Sequence, residues 1–521
     1  MRSAGLVGIC HLLMSILLAG GCSTNRGGNP GDDWRWKEPP LYGRSLNPER
    51  PHLIQVAAGE YRPGGSPQAV GPPLRALREL ADEYERLHPE VTIEFLTQLM
   101  LSGGSEGEWV RTQLLGGVAP EIVQLNTEAV WPDIEQNKGW WVPLDPYLDL
   151  PNPYVPGNQH WRDLFAMRPL TEAKRAPDGK LYCVVYDLVE TGIFYNQDIF
   201  ARLNLRLPRT WPEFLTLQKN LPAAGYLPLV IATNMHYDWA QDLIFDQCYF
   251  ELLDIIDYKK ASPLEEEYYR GYLLPEELCW LLKKGWFAPD NPRFREVWRL
   301  LREWRTYWQR DFATTDGARL FLTQKAAMVW NGSWFVRRLR MDPMVNFHWG
   351  VFYPPPIHRD HSPYCCGVDQ CVIGGAGMQF HVTRRAVDDA ELDAVIDFLM
   401  FLTTPENNAR VVNEAGLFVP HIVGAPLPPS LAPFAEIVTR RYCTTKWNYS
   451  LGHRFTDHHQ RMIELYLQDG ISLDELMQEM GRYFRETAER LIAENGWPEP
   501  EGLPEWSPEA EARLLSARRA P

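Results

Sequence analysis

The stretch LIQVAAGEYRPGGSPQAVGPPLRALRELADEYERLHPEVTIEFL, residues 53–96, decides the fold class of this chain. It begins with Leu53–Ala58, an apolar run typical of a buried strand. Pro73–His88 predicts an amphipathic helix, because apolar side chains recur there at helical spacing: Leu74, Leu77, Ala81, Tyr84 and Leu87. Pro89 ends this helix, and Val91–Leu96 predicts a second strand.

The same alternation continues beyond this stretch. Glu108–Leu115 predicts another helix, and Ile122–Leu125 is a short apolar run that predicts a third strand. Strands that alternate with helices favour an α/β fold with a parallel sheet covered on both faces. Ligands of such sheets bind beyond the carboxyl ends of the strands. Glu60 and Asn126, which follow the first and third strands, are therefore candidate ligand contacts.

Charge, length and composition narrow the function classes. The formal net charge of −15 argues against a nucleic-acid partner. About 470 residues follow residue 50, more than one ordinary core uses, so two lobes or domains are expected. The 20 tryptophans suit both hydrophobic cores and sugar-binding clefts. The stripe of Val297, Leu301, Trp304 and Trp308 is typical of core packing.

The N-terminus has the features of a secretory signal. A charged start and an apolar run, Leu6–Leu18, precede small residues and Cys22, which predicts a signal peptide over residues 1–21. The end of this segment, residues 18–22, resembles a bacterial lipobox, with Ala19 where leucine is usual. That resemblance implies a lipid on Cys22 that anchors the protein to the outer face of the cytoplasmic membrane, and an ordinary secretory signal is the alternative. Residues 22–50, rich in Gly, Asn, Pro and charge, predict a flexible tether.

Several longer segments carry a family resemblance. The most specific is DGKLYCVVYDLVETGIFYNQDIFARLNLRLPRTWPEF, residues 178–214, in which a Tyr-Asn-Gln-Asp junction precedes a Thr-Trp-Pro-Glu helix start. The others, in chain order, are HPEVTIEF, GGVAPEIVQL, IEQNKGWWVPLDPYL, FLTQKAAMVWNGSW and GGAGMQFHVTRR with the following FLMFLTTPENNARVVNEAGLFVP. Together they resemble the bacterial extracellular solute-binding proteins of carbohydrate uptake, the maltose-binding protein superfamily. Gln324 and Met378 stand where that family usually has glycine and tryptophan.

The resemblance implies a periplasmic-binding-protein-like fold, in which a hinge joins two α/β lobes and the ligand cleft lies between them. The chain would cross between lobes near Asp187–Gly192, return near Val345–Pro356, and cross again after the helix that begins at Leu392. The expected division is a first lobe of residues 51–188 and 346–404, a second lobe of 189–345 and 405–498, and a C-terminal tail of 499–521.

The family also implies a function without covalent chemistry or cofactor. A monomeric binding protein would capture a sugar or oligosaccharide and deliver it to ABC permease subunits in the membrane. A sugar site combines planar polar groups with aromatic rings. Asp187 and Tyr186 stand before the expected hinge, where the family places a cleft carboxylate, although a helix cap is the ordinary role for such an aspartate. Trp334 stands at the family's stacking position, and Trp239 follows an apolar strand, with core packing as the alternative for both.

Two further possibilities stay open at this point. The cluster of His358, His361, Cys365, Cys366 and Cys371 partly fits zinc spacing, whereas an exported location favours a loop or a local disulfide, so no metal is predicted. The rival functions are a binding protein for a peptide or polyamine, an exported enzyme that acts on polysaccharide with paired carboxylates, and a sensor for a membrane kinase.

Overall fold

The computed structural model describes residues 50–518, except 65–70, 98–105, 167–170, 172–173, 177, 232–235, 260–272, 313–314, 370–373 and 439–450. The signal peptide, Cys22 and most of the tether therefore lie outside the described residues. None of the helices in the described part is long and apolar enough to cross a bilayer.

A five-stranded sheet forms the first lobe. Its strands are β1 His52–Ala57, β2 Val91–Phe95, β3 Ile122–Gln124, β4 Cys183–Val185 and β10 Gln379–Val382. They lie in the order β2–β1–β3–β10–β4. β1 pairs in parallel with β2 and β3, as the sequence predicts, whereas β10 runs antiparallel to β3 and β4. The sheet is therefore mixed, with β10 as its antiparallel strand.

A six-stranded sheet includes the strands of the hinge and continues into the second lobe. Its strands are β5 Asp187–Asn196, β6 Leu227–Ile231, β7 Ala326–Gly332, β8 Trp349–Phe352, β9 Gly374–Ala376 and β11 Val419–Pro420. The order is β11–β5–β7–β6, and β8 and β9 also pair with β5. β5 is therefore the strand around which this sheet is built.

Helices cover both sheets. In chain order they are α1 Ala76–Leu87, α2 Glu106–Gly116, α3 Trp131–Glu135, α4 Asp145–Leu148, α5 Gln197–Arg202, α6 Trp211–Asn220, α7 His236–Tyr249, α8 Leu253–Ile256, α9 Pro275–Lys283, α10 Pro292–Arg305, α11 Gly317–Leu322, α12 Phe335–Met341, α13 Arg385–Asp388, α14 Leu392–Leu402, α15 Pro405–Ala415, α16 His453–Leu467, α17 Leu473–Asn495 and α18 Pro508–Arg518. The predicted first and second helices are thus present as α1 and α2. α1 starts three residues later than predicted, where the Glu414 carboxylate accepts hydrogen bonds from the Arg75 and Ala76 N–H groups.

The first half and the second half of β5 have different partners. Leu188 pairs with Ala376 of β9 and with Val419 of β11, whereas Thr191 pairs with Gly332 of β7. Three antiparallel strands, β5, β9 and β11, therefore form the connection between the lobes. The predicted first crossing near Asp187–Gly192 coincides with this strand.

The other lobe boundaries differ from the sequence prediction. β8 pairs with β5, and Ile357 and Cys365 are buried in the second-lobe core, so the chain remains in the second lobe to about residue 369. The return at 346 was expected from the proline-rich loop, which in fact runs along the second lobe. Likewise, Val412 of α15 is buried in the first-lobe core, so the third crossing comes at β11 and not at residue 405.

The C-terminal segment is also more than a tail. Trp506, Leu514 and Leu515 pack against the second-lobe core, and the Trp506 N–H donates to the Lys284 carbonyl at 2.8 Å. Residues 499–518 therefore belong to the second lobe. The core of this lobe includes the predicted stripe of Val297, Leu301, Trp304 and Trp308, all of which are buried. The prediction of core packing for that stripe is confirmed.

Candidate functional site

A tight turn places Trp334 beside the hinge. β7 ends at Gly332, and the chain turns at once into α12. The Ser333 N–H donates to the Glu190 carbonyl of β5 at 2.8 Å, which holds the turn against the crossing strand. A Cβ atom at Gly332 would lie 2.0 Å from the Trp334 ring, so glycine allows the indole to fold back over the strand end.

Trp334 contacts both lobes. Its partly buried side chain packs against the first-lobe core and against the second-lobe core. Trp239, in the first turn of α7, meets it edge to face with ring centroids 5.8 Å apart and an angle of 72° between the planes. Trp239 itself is only 5% exposed, so in this conformation it supports Trp334 from the second lobe.

The two strand-end residues of the first lobe are exposed at the same edge of its sheet. Glu60 lies in a short helical turn after β1, and Asn126 follows β3, the parallel neighbour of β1. The turn after β1 packs closely against the end of β3, since a Cβ at Gly59 would lie 2.5 Å from the Gln124 side-chain oxygen. The structure thus brings Glu60 and Asn126 to one edge, as the strand-end argument predicts.

Tyr186 and Asp187 are placed differently from the prediction, because both side chains are buried. Tyr186 is 1% exposed, its ring lies between Tyr61 and Phe380, and its hydroxyl donates to the Leu402 carbonyl at 3.3 Å. A solute in the cleft cannot reach this ring in the described conformation. Tyr186 therefore contributes to the first-lobe core and not to a contact surface.

Asp187 begins β5 as a buried hydrogen-bond acceptor. One carboxylate oxygen accepts from the Met378 N–H at 3.0 Å, and the other accepts from the Tyr61 hydroxyl. Burial raises the pKa of Asp187 to about 7, although both hydrogen bonds act in the opposite direction. The pKa of Tyr61 also lies well above its usual value, first because of burial and then because of the Asp187 charge. Asp187 is thus neither a helix cap nor a free cleft carboxylate, and it joins β5 to the start of β10.

A second contact holds the lobes together near the hinge. Arg337 of α12, which is 6% exposed, donates to the Glu414 and Ala415 carbonyls at the end of α15 and to the Pro72 carbonyl. A guanidinium at a helix C-terminus satisfies carbonyls that have no partner within the helix. This contact fixes the helix that begins beside Trp334 to the first lobe.

Sequence reasoning missed Glu190, which is fully buried in the middle of β5, at the change of partners between lobes. A carboxylate inside the run LVETGIF was the available signal, since an ionisable group in a buried strand requires a specific surrounding. Sequence reasoning also missed Tyr61 as the partner of Asp187. Its bond to Asp187 spans 126 positions and leaves no local pattern.

The histidine and cysteine cluster does not assemble as a metal site in the described part of the chain, where no group of three or more ligand side chains is placed to hold an ion. His361 instead bonds the Glu303 carboxylate at 2.9 Å, and Cys365 is buried against Cys248. Cys371 lies outside the described residues.

Comparison with known proteins identifies the family. A sequence profile described as bacterial extracellular solute-binding protein matches residues 79–433, more than half of the chain. The chain belongs to this family. The members of this family are solute-binding proteins and not enzymes, and they are located outside the cytoplasm.

Individual relatives of this solute-binding family are distant. The multiple sugar-binding protein of Streptococcus mutans is 24% identical over 156 residues, which is 30% of this chain and 33% of that protein. The match thus spans about a third of the curated relative. Among solved structures, apo RafE from Streptococcus pneumoniae has a TM-score of 0.56 at 18% identity, covering 85% of this chain and 100% of that one. The sugar-binding protein MalE from Xanthomonas citri has a TM-score of 0.57 at 17% identity, covering 86% and 100%. These similarities establish the two-lobed α/β fold.

Proposed function

We propose that this protein is the lipid-anchored substrate-binding subunit of an ATP-driven importer, with a sugar or oligosaccharide as its solute. The observation that carries the proposal is the position of Trp334, which lies beside the hinge, packs against both lobes and is supported by Trp239. An aromatic ring at that point can pack against the C–H face of a sugar while the lobes approach each other.

The polar part of the proposed site comes from Glu60 and Asn126. Both are exposed at the edge of the first-lobe sheet, and their oxygen and amide groups suit the hydroxyls of a sugar. Tyr186 and Asp187 have a positioning role, since they fix β5 to the first lobe. Solute binding then favours the closed state, because only there does the solute contact both lobes.

Thermal-shift measurements of the full chain against a panel of sugars and oligosaccharides test this function. A specific sugar is expected to raise the melting temperature, because it binds the folded state alone. A panel with amino acids, peptides and polyamines runs in parallel. A melting temperature that rises with one of those solutes and with no sugar would contradict the carbohydrate assignment.

The role of Trp334 is testable with a matched tryptophan. Trp334→Ala is expected to weaken binding of the sugar found in the panel by about 10- to 100-fold, because the stacking surface is lost. Trp497→Ala is the control, since Trp497 is also partly buried but packs against the second-lobe core alone. Equal affinity losses in the two variants, measured calorimetrically on folded protein, would show that Trp334 acts only through stability.

The anchor makes a separate prediction. Cys22→Ser is expected to release the protein from the membrane fraction and to impair solute uptake, with unchanged solute affinity of the purified protein, because the cysteine thiol is the acylation site. Fractionation, uptake and calorimetry measure the three quantities. Retention of the variant in the membrane fraction would refute lipidation of Cys22.

A further inference from the structure

Two cysteines from distant parts of the chain meet in the second-lobe core. Cys248 lies near the end of α7, and Cys365 lies in the segment that follows the proline-rich loop. Their sulfur atoms are 3.6 Å apart, although 117 positions separate them in the sequence. Both residues are fully buried. The sulfurs are therefore in direct contact and shielded from solvent.

Hydrogen bonds around the pair hold the two segments together independently of the sulfurs. The side chain of Gln247 donates to the Val368 carbonyl at 2.7 Å and accepts from the Ile357 N–H at 3.0 Å. The Gly367 N–H donates to the Ile357 carbonyl at 2.9 Å, which closes the segment into a loop. α7 thus holds both ends of the loop that contains Cys365.

Arg293 of α10 adds a third connection. Its guanidinium donates to the Cys248 carbonyl and, at 3.1 Å, to the carbonyl of Tyr364, the residue before Cys365. One buried cation therefore contacts the backbone on both sides of the sulfur pair. These hydrogen bonds hold the backbone of the two cysteine segments close together, while the cysteine side chains remain free to rotate.

We propose that Cys248 and Cys365 form a disulfide in the exported protein. A disulfide requires an S–S distance of about 2.05 Å, so the sulfurs would need to approach by about 1.5 Å, which side-chain rotation with small backbone adjustment can supply. The extracytoplasmic location of the family is compatible with this oxidation, since disulfides persist in oxidising compartments.

The oxidant is itself a disulfide, either of a small thiol or of a thiol–disulfide oxidoreductase. One cysteine thiolate attacks a sulfur of the oxidant and expels one thiol; the second cysteine then attacks the mixed disulfide and expels the other. The two protons and two electrons of the cysteines end on the expelled thiols. Both thiols are inaccessible in the folded protein, and burial raises the pKa of Cys248 well above its usual value, so the exchange requires a state in which α7 and the loop have not yet packed together.

The other fully buried cysteines of the described residues lie in other elements. Cys279 is in α9 of the second lobe, and Cys183 is in β4 of the first-lobe sheet. Cys366 is the chain neighbour of Cys365 and is only partly buried, and burial raises its pKa to about 11. The proposed bond would connect the C-terminal end of α7 to the loop that contains Cys365, while Trp239 lies at the N-terminal end of the same helix.

Peptide mapping of the wild-type full chain tests the proposal directly. The protein is refolded with oxidised glutathione, denatured without reductant, alkylated with iodoacetamide and digested. The expected result is one cross-linked peptide pair containing Cys248 and Cys365, which separates into two peptides after reduction. Alkylation of both residues in the unreduced sample, or a bond from Cys365 to Cys366 or Cys371 instead, would overturn the proposal.

Thermal unfolding provides an independent test. Dithiothreitol present during refolding is expected to lower the wild-type melting temperature by about 5 °C or more. Without the disulfide the unfolded chain is no longer cross-linked, so its conformational entropy is higher and the folded state is less favoured. Cys279→Ala should respond to dithiothreitol as the wild type does, whereas the double variant Cys248→Ala/Cys365→Ala should not respond. An identical wild-type melting temperature with and without the reductant would contradict the bond.

Discussion

Asp187→Asn is expected to make the protein more stable than the wild type at pH 8, by roughly 2–4 kcal/mol, and to lose this advantage near pH 4. Burial raises the pKa of Asp187 from 3.8 in the unfolded chain to about 7 in the folded protein. Between these values the folded state binds the extra proton. The stabilisation from this group is therefore complete below pH 4 and is lost as the pH rises through 7.

Asparagine suits the same position because it carries no charge to desolvate. Its oxygen can accept from the Met378 N–H, and its amide can donate to the Tyr61 oxygen, which replaces both bonds of Asp187. At pH 4 the variant is expected to be equal to the wild type or about 1 kcal/mol less stable, because the donor and acceptor at Tyr61 are exchanged.

Urea unfolding between pH 4 and pH 8 measures the effect. Asp290→Asn is the control, since it makes the same exchange of carboxylate for amide at an exposed position. A constant difference between Asp187→Asn and the wild type across the pH range would show that Asp187 does not titrate in this window. The same experiment in the presence of the solute would measure whether the charge at the hinge alters closure.

The elements that sequence could predict are those with local periodicity. Val91–Phe95, α1 and α2 follow from the spacing of apolar residues within single segments, and Trp304 and Trp308 follow from one helical stripe. The alternation of these elements was sufficient for the α/β class. The rule that ligands of parallel sheets bind beyond the carboxyl ends of the strands selected Glu60 and Asn126, which are exposed at one edge of the first-lobe sheet.

The lobe boundaries could not be predicted because they depend on strand pairing between distant segments. A run of three prolines looks like a crossover, but β8 before it pairs with β5, more than 150 positions earlier. The hydrogen bonds of Asp187 could not be predicted for the same reason, since its partners, Tyr61 and Met378, lie 126 and 191 positions away. The sequence therefore placed Asp187 at the hinge, but it could not show that the Asp187 side chain is buried, because that burial depends on tertiary packing.

The C-terminal segment is a further element whose packing depends on distant residues. The sequence after Pro498 suggested a surface tail, but Glu511 of α18 accepts from Arg293 at 2.6 and 2.9 Å and from the Trp506 ring N–H at 2.9 Å. Arg293 is 3% exposed. Glu511→Ala would leave this guanidinium buried without its carboxylate, and we expect the free energy of unfolding to fall by about 3–5 kcal/mol.

Two comparisons separate loss of the ion pair from loss of the helix. Glu509→Ala removes an exposed glutamate of the same helix and should change stability by less than about 0.5 kcal/mol. The double variant Arg293→Met/Glu511→Leu removes both charges and should recover much of the loss, because apolar groups of similar size avoid the buried, unpaired charge. If Glu511→Ala were as stable as Glu509→Ala in urea unfolding, α18 would not be fastened to the second lobe through Arg293. If the double variant were no better than Glu511→Ala, the hydrogen bonds from Arg293 to the Cys248 and Tyr364 carbonyls, and not the charge pair, would be the interaction on which this part of the core depends.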